Sequence, residues 1–95
     1  MFIVVLKYVK PLARIDELVS AHIEFLDRFY NQEKFIVSGR REPRVGGVIF
    51  ASASSEEELW DIIKQDPFYI DGAAEYEVIE FIPSKYDSRF ECLFR

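Results

Sequence analysis

Residues 2–8 read Phe-Ile-Val-Val-Leu-Lys-Tyr, apolar or β-branched everywhere except Lys7. A strand with one face in water alternates apolar and polar side chains, and this run does not. It therefore predicts a strand covered on both faces. That is a severe demand on 95 residues, because a chain this short buries about 60–65% of its unfolded surface and cannot divide that between two cores. One domain over residues 1–95 is expected, with its core over about residues 1–83 and a C-terminal extension over 84–95.

Lys10-Pro11-Leu12 breaks the strand, and a helix is expected from Ile15 to about Gln32. Leu18, Val19, Leu26 and Phe29 fall three, four, eleven and fourteen steps after Ile15, the stripe of a helix lying on a core. Asp16 and Glu17 suit its positive end, and Asn31 is the expected terminator. A second strand spans Lys34 to Arg41 and turns polar at Ser38-Gly39. The stretch from Arg41 to Gly47, with Pro43 and two glycines, reads as a hairpin connection into a third strand, Gly47 to Ser52. Ser55 with Glu58 fits a capping box, opening a second helix that runs to about Gln65 and buries Leu59, Ile62 and Ile63.

Asp66-Pro67 ends that helix, because proline disfavours helical geometry in the residue before it. Residues 68–74 read as a loop with Gly72, and Tyr76 to Ile82 as a fourth strand, apolar on both faces through Val78, Ile79, Phe81 and Ile82. The order β-α-β-β-α-β predicts an α+β, ferredoxin-like fold: a four-stranded antiparallel sheet with two helices on one face. The other face then needs a cover. A second copy in a two-fold dimer supplies one, and a short helix capping the chain's own sheet is the alternative. The tail carries Tyr86, Phe90, Leu93 and Phe94, too apolar for a free end, and is expected to pack on its own domain or reach over the partner.

A net charge of −5 and a pI near 4.8 oppose both nucleic acid and anionic membrane surfaces. Cys92 is the single cysteine, so no disulfide framework is possible and a reducing, cytoplasmic setting is expected. The apolar N-terminus is too short for a signal peptide or a bilayer span. There is no dinucleotide-binding glycine fingerprint, P-loop or nucleophile elbow. One His and one Cys make no metal-ligand cluster, so neither metal nor cofactor is expected.

His22, the only histidine, stands seven steps after Ile15, inside the apolar stripe. An imidazole exchanges protons near neutrality, and a buried one left unpartnered costs about 1–3 kcal/mol. Asp66 lies seven steps after Leu59 on the second helix's stripe. With both helices on one sheet face, His22 and Asp66 can meet in the gap below them as a general acid/base pair. Taken singly, such a histidine is more often a hydrogen-bonded core residue, and an aspartate before proline a turn residue. Arg40, Arg41 and Arg44 could form a fork for a carboxylate or phosphate, or simply balance Glu42 and the acidic helix starts. Ser38 and Gly39 leave room for a ligand beside the sheet, and Tyr8, Phe68 and Tyr69 could wall it.

These pieces resemble the YciI-like (YCII-related) family over about residues 1–83. The resemblance is carried by Ala21-His22 followed by Phe25-Leu26, by the strand Phe35 to Gly39, and by Asp66-Pro67-Phe68 with Gly72 ahead of Tyr76 to Phe81. It implies a domain of the dimeric α/β-barrel superfamily that pairs face to face, with an active site built from His22 and Asp66. The family's usual Gly-Pro after the second strand is Gly39-Arg40 here, which offers an anion contact instead. The implied activity is acid/base chemistry of the lyase or isomerase kind on small organic acids, and with it the residue reading expects a small anionic metabolite bound with the help of Ser38, Gly39, Arg40, Arg41 and Phe68. The competing expectation is a non-catalytic small-molecule-binding or structural homodimer.

Overall fold

The computed structural model describes residues 1–94; Arg95, the end of the expected extension, lies outside the described residues. Strand β1 (Phe2–Tyr8) leads to helix α1 (Leu12–Asn31), the hairpin β2 (Phe35–Arg40) and β3 (Gly46–Ala51), and helix α2 (Glu56–Ile63). A short helix α3 (Pro67–Ile70) and strand β4 (Ala74–Glu80) follow, then a 3₁₀ turn (Ser88–Phe90) and helix α4 (Glu91–Phe94).

Helix α1 begins three residues before the expected Ile15, because Pro11 stands at its N-cap, where a missing backbone N–H is no loss. After Asn31 the chain turns through Glu33, whose φ of 58° lies in the left-handed region. The loop expected over residues 68–74 is corrected in its first half. Asp66 caps α3, and Pro67 supplies φ already set for a first helical turn. Gly72, at φ 70°, then turns the chain into β4. Ser55 caps α2 by accepting the Glu58 N–H at 3.1 Å, but the reciprocal half of the expected capping box is absent. The Glu58 carboxylate instead binds Ser54 and Lys34.

The sheet order is β2-β3-β1-β4, with every neighbour antiparallel. With α1 and α2 on one side, this is the ferredoxin-like arrangement. Phe2, Val4 and Leu6 of β1 point into the core with Ile49 and Ala51 of β3, under Ile15, Phe25 and Phe29 of α1 and Leu59, Ile62 and Ile63 of α2. Gly46 is obligatory at its place, since a Cβ there would overlap the Leu6 carbonyl of β1. Val19, His22 and Leu26 of α1 are only half-buried, because they border a cavity instead of the sheet.

The outer face of the sheet carries Ile3, Val5, Val48 and Phe50, all half-buried, with Val37 and Ile79 exposed. Strand β4 corrects the reading that it is apolar on both faces. It stops at Glu80, and its outward positions are Glu75, Glu77 and Ile79. The tail borders a groove of about 870 Å³ beside Ile36, Val37 and Phe50. Phe90 and Leu93 remain exposed there, so the tail flanks the outer face without sealing it.

Candidate active site

His22 rides on the middle of α1, and Asp66 closes the turn after α2. Their side chains meet, with His22 Nδ1 2.8 Å from Asp66 Oδ1. Asp66 is fully buried, whereas the His22 side chain keeps 15% of its surface exposed. A buried carboxylate is tolerated when hydrogen bonds replace its lost water, and Asp66 has three. Its Oδ1 also accepts the Phe68 N–H at 3.0 Å, and its Oδ2 accepts the Tyr76 hydroxyl at 2.6 Å. The carboxylate thus ties α1, α3 and β4 together. Burial, followed by the charge of Asp66, pushes the Tyr76 phenol well above its ordinary pKa, so it stays a donor.

The Phe68 ring stacks on His22, centroids 4.2 Å apart at 17°. With one face against Phe68 and Nδ1 on Asp66, the imidazole has a fixed orientation. Its Nε2 has no hydrogen-bond partner among the described residues, and His22 lines a cavity. That cavity measures about 420 Å³. Its walls are largely apolar, from Leu6, Val19, Leu26 and Ile49, with Tyr8, Ser38, Arg40 and Arg44 as the polar groups beside His22.

The opposite wall is set by an irregularity in β2. Phe35 pairs with Ala51 and Val37 with Phe50, so the register slips by one residue between them. After the slip, Ser38 and Arg40 lie opposite Ile49 and Gly47, on the helix side. Ser38 shares a 2.6 Å hydrogen bond with the Tyr30 hydroxyl, while Arg40 has no ion-pair partner among the described residues. Gly39 also lines the cavity, with no side chain to obstruct it. Arg44 lines it too, but its guanidinium is engaged by Asp16 of α1, which raises its pKa.

Of the residues singled out from sequence, His22, Ser38, Gly39, Arg40 and Phe68 line this one cavity, with Asp66 directly behind His22. Arg41 does not line it; its backbone N–H bonds the Gly46 carbonyl across the hairpin. Arg44 occupies the place expected of Arg41. By sequence Tyr76 is only a strand residue. Its parity with Val78, an inward position two residues on, was the available signal that it faces the helices. Among the described residues, no group of three or more His, Cys, Asp or Glu side chains could hold a metal ion. No helix there is long and apolar enough to cross a membrane.

No curated protein matches the chain. Among solved structures it is similar to 5-chloro-2-hydroxyhydroquinone dehydrochlorinase (TftG) from Burkholderia phenoliruptrix AC1100, in complex with 2,5-dihydroxybenzoquinone. The TM-score is 0.68 and the identity 21%, over 85% of this chain and 93% of that one. At that identity the likeness is one of fold. The sequence match is broader in kind, since the YCII-related domain spans residues 1–82, from β1 through the end of β4. The chain therefore belongs to the YCII-related family.

Proposed function

We propose that this protein is an enzyme in which His22 moves a proton on a small anionic metabolite, in chemistry of the lyase or isomerase kind. The observation that supports it is the 2.8 Å contact between His22 Nδ1 and a fully buried Asp66, beside a cavity of about 420 Å³. A carboxylate on Nδ1 fixes the tautomer, leaves the Nε2 lone pair free as a base, and stabilises the imidazolium that forms. Arg40 supplies the anion contact, and Arg44 a second one if it releases Asp16. The apolar walls exclude water and strengthen both interactions. TftG, the structural neighbour, is named for loss of HCl from a hydroxylated ring, a reaction that also requires a proton to be moved.

The working unit in this reading is a cytoplasmic homodimer joined through the outer sheet face, whose half-buried Ile3, Val5, Val48 and Phe50 and exposed Val37 and Ile79 a second copy would cover. A second reading, a non-catalytic binding or structural dimer, draws on the fact that Asp66 also caps α3. The two separate in one experiment. His22 imidazole signals are followed by NMR through a pH titration, then with pools of small carboxylates and phosphates. The enzyme reading expects a ring that titrates, shifts with one pool, and leads to a compound whose turnover the substitution H22Q abolishes. A ring that neither titrates nor responds overturns it in favour of the structural reading.

A further inference from the structure

Asp66 Oδ2 has one hydrogen-bond donor among the described residues, the Tyr76 hydroxyl at 2.6 Å. The other oxygen, Oδ1, is shared between the Phe68 N–H and His22 Nδ1. Tyr76 stands on the helix side of the edge strand β4, opposite Leu6, with Tyr69 packed edge-on against it at 5.7 Å. It does not line the cavity and cannot touch a ligand there. From this geometry we infer that Tyr76 is a positioning residue that sets the proton affinity of His22 through Asp66.

The physical reason is competition for one charge. A carboxylate that donates electron density to a short phenol hydrogen bond has less to offer the imidazolium on its other oxygen. The phenol also pins the carboxylate plane, so Oδ1 stays aimed at Nδ1. A carboxylate held by His22 and Phe68 alone would concentrate its charge on Oδ1 and hold the imidazolium more tightly, making Nε2 a slower proton donor. Tyr76 thereby moderates a base that a bare buried aspartate would over-stabilise. The remaining polar and charged groups bordering His22 are Tyr8 on β1, Ser38 and Arg40 on β2 and Arg44 in the hairpin; none hydrogen-bonds Asp66, so they are constant in the comparison.

This inference rests on the proton-transfer reading for its purpose, but its test does not need a substrate. The full-length Y76F protein is titrated by NMR, reading the single histidine, alongside a thermal melt. The midpoint of the His22 titration is expected to rise by about half a pH unit or more. A midpoint that stays or falls in a folded variant overturns the inference, even if the melting temperature drops. Should Y76F not fold, the wild-type protein decides. The Cζ signal of Tyr76 is expected to shift with the same midpoint as the His22 ring, and a Tyr76 signal that ignores His22 protonation overturns the coupling. A positive result without any ligand or turnover leaves the coupling standing and removes the enzyme reading; turnover with an unmoved midpoint does the reverse.

Discussion

His22 and Asp66 lie 44 positions apart in the chain and share a 2.8 Å hydrogen bond. The contact exists because α1 packs against α3, the short helix that Asp66 caps after α2 ends. Since Asp66 already accepts from Phe68 and Tyr76, it is the acceptor toward His22 as well. Neutral His22 is therefore expected to carry its proton on Nδ1. Ring ¹⁵N shifts at a pH above the titration check this, and a proton on Nε2 would contradict the arrangement.

Replacing His22 and replacing Asp66 have different consequences for stability. H22Q removes a partly exposed ring and is expected to cost about 1–2 kcal/mol. D66A removes the cap of α3 and strands the Tyr76 hydroxyl and Phe68 N–H in the core, for about 3–5 kcal/mol. Urea unfolding of both variants measures the contrast. Equal losses would mean that Asp66 has little structural work beyond His22.

Arg40 lines the cavity without an ion-pair partner among the described residues, so its removal leaves no orphaned carboxylate there. R40A is expected to fold normally and to weaken binding of any anionic ligand found in the screen by about tenfold to a hundredfold. Calorimetric titration gives the number. Unchanged affinity would assign the anion contact to Arg44.

Asp71, at the end of α3, accepts from Arg14 and from Lys10, tying that turn to the start of α1. Chiefly the Arg14 guanidinium, and then Lys10, hold its carboxyl down to about 2 against an ordinary 3.8. With the folded value below the unfolded one, this stabilisation is complete above about pH 4 and is lost as the pH falls toward 2. D71N should therefore melt below the wild type at pH 7, and the two should converge near pH 2. A gap that does not vary with pH would remove the ion pairs as its cause.

The proposed dimer makes a separate demand on the outer face. Ile79 is 43% exposed there, and a face-to-face partner would bury it. I79E is expected to shift the mass measured by light scattering at micromolar concentration from dimer to monomer without unfolding the chain. A wild-type protein that is already monomeric at that concentration overturns the dimer.

Much of this is legible in the sequence itself. The run from Phe2 to Tyr8, the stripe through Ile15 and Phe29, and Leu59, Ile62 and Ile63 place the layers, because burial periodicity is a local property of sequence. The same periodicity puts His22 on the inward stripe of α1, but Asp66 lies beyond the end of α2 at Ile63, and its burial comes from capping α3 and not from the helical stripe expected of it. Residues whose roles depend on two segments at once were less legible. Proline after Asp66 reads equally as the end of one helix or the start of another, and only the aspartate's bond to the Phe68 N–H distinguishes them. Tyr76 acquires its role from a carboxylate ten residues away on another element.

The wall opposite His22 shows the limit most plainly. Strict alternation from the buried Phe35 would send Val37 and Gly39 toward the helices and turn Ser38 and Arg40 out to the other face. The slip between Phe35 and Val37 reverses that parity and brings the hydroxyl and the guanidinium to the cavity. Composition and periodicity are enough to specify which segments pair and which face is apolar. A one-residue slip on an edge strand is settled by how that strand fits against β3, where pairing with Phe50 and Ile49 outweighs the local repeat.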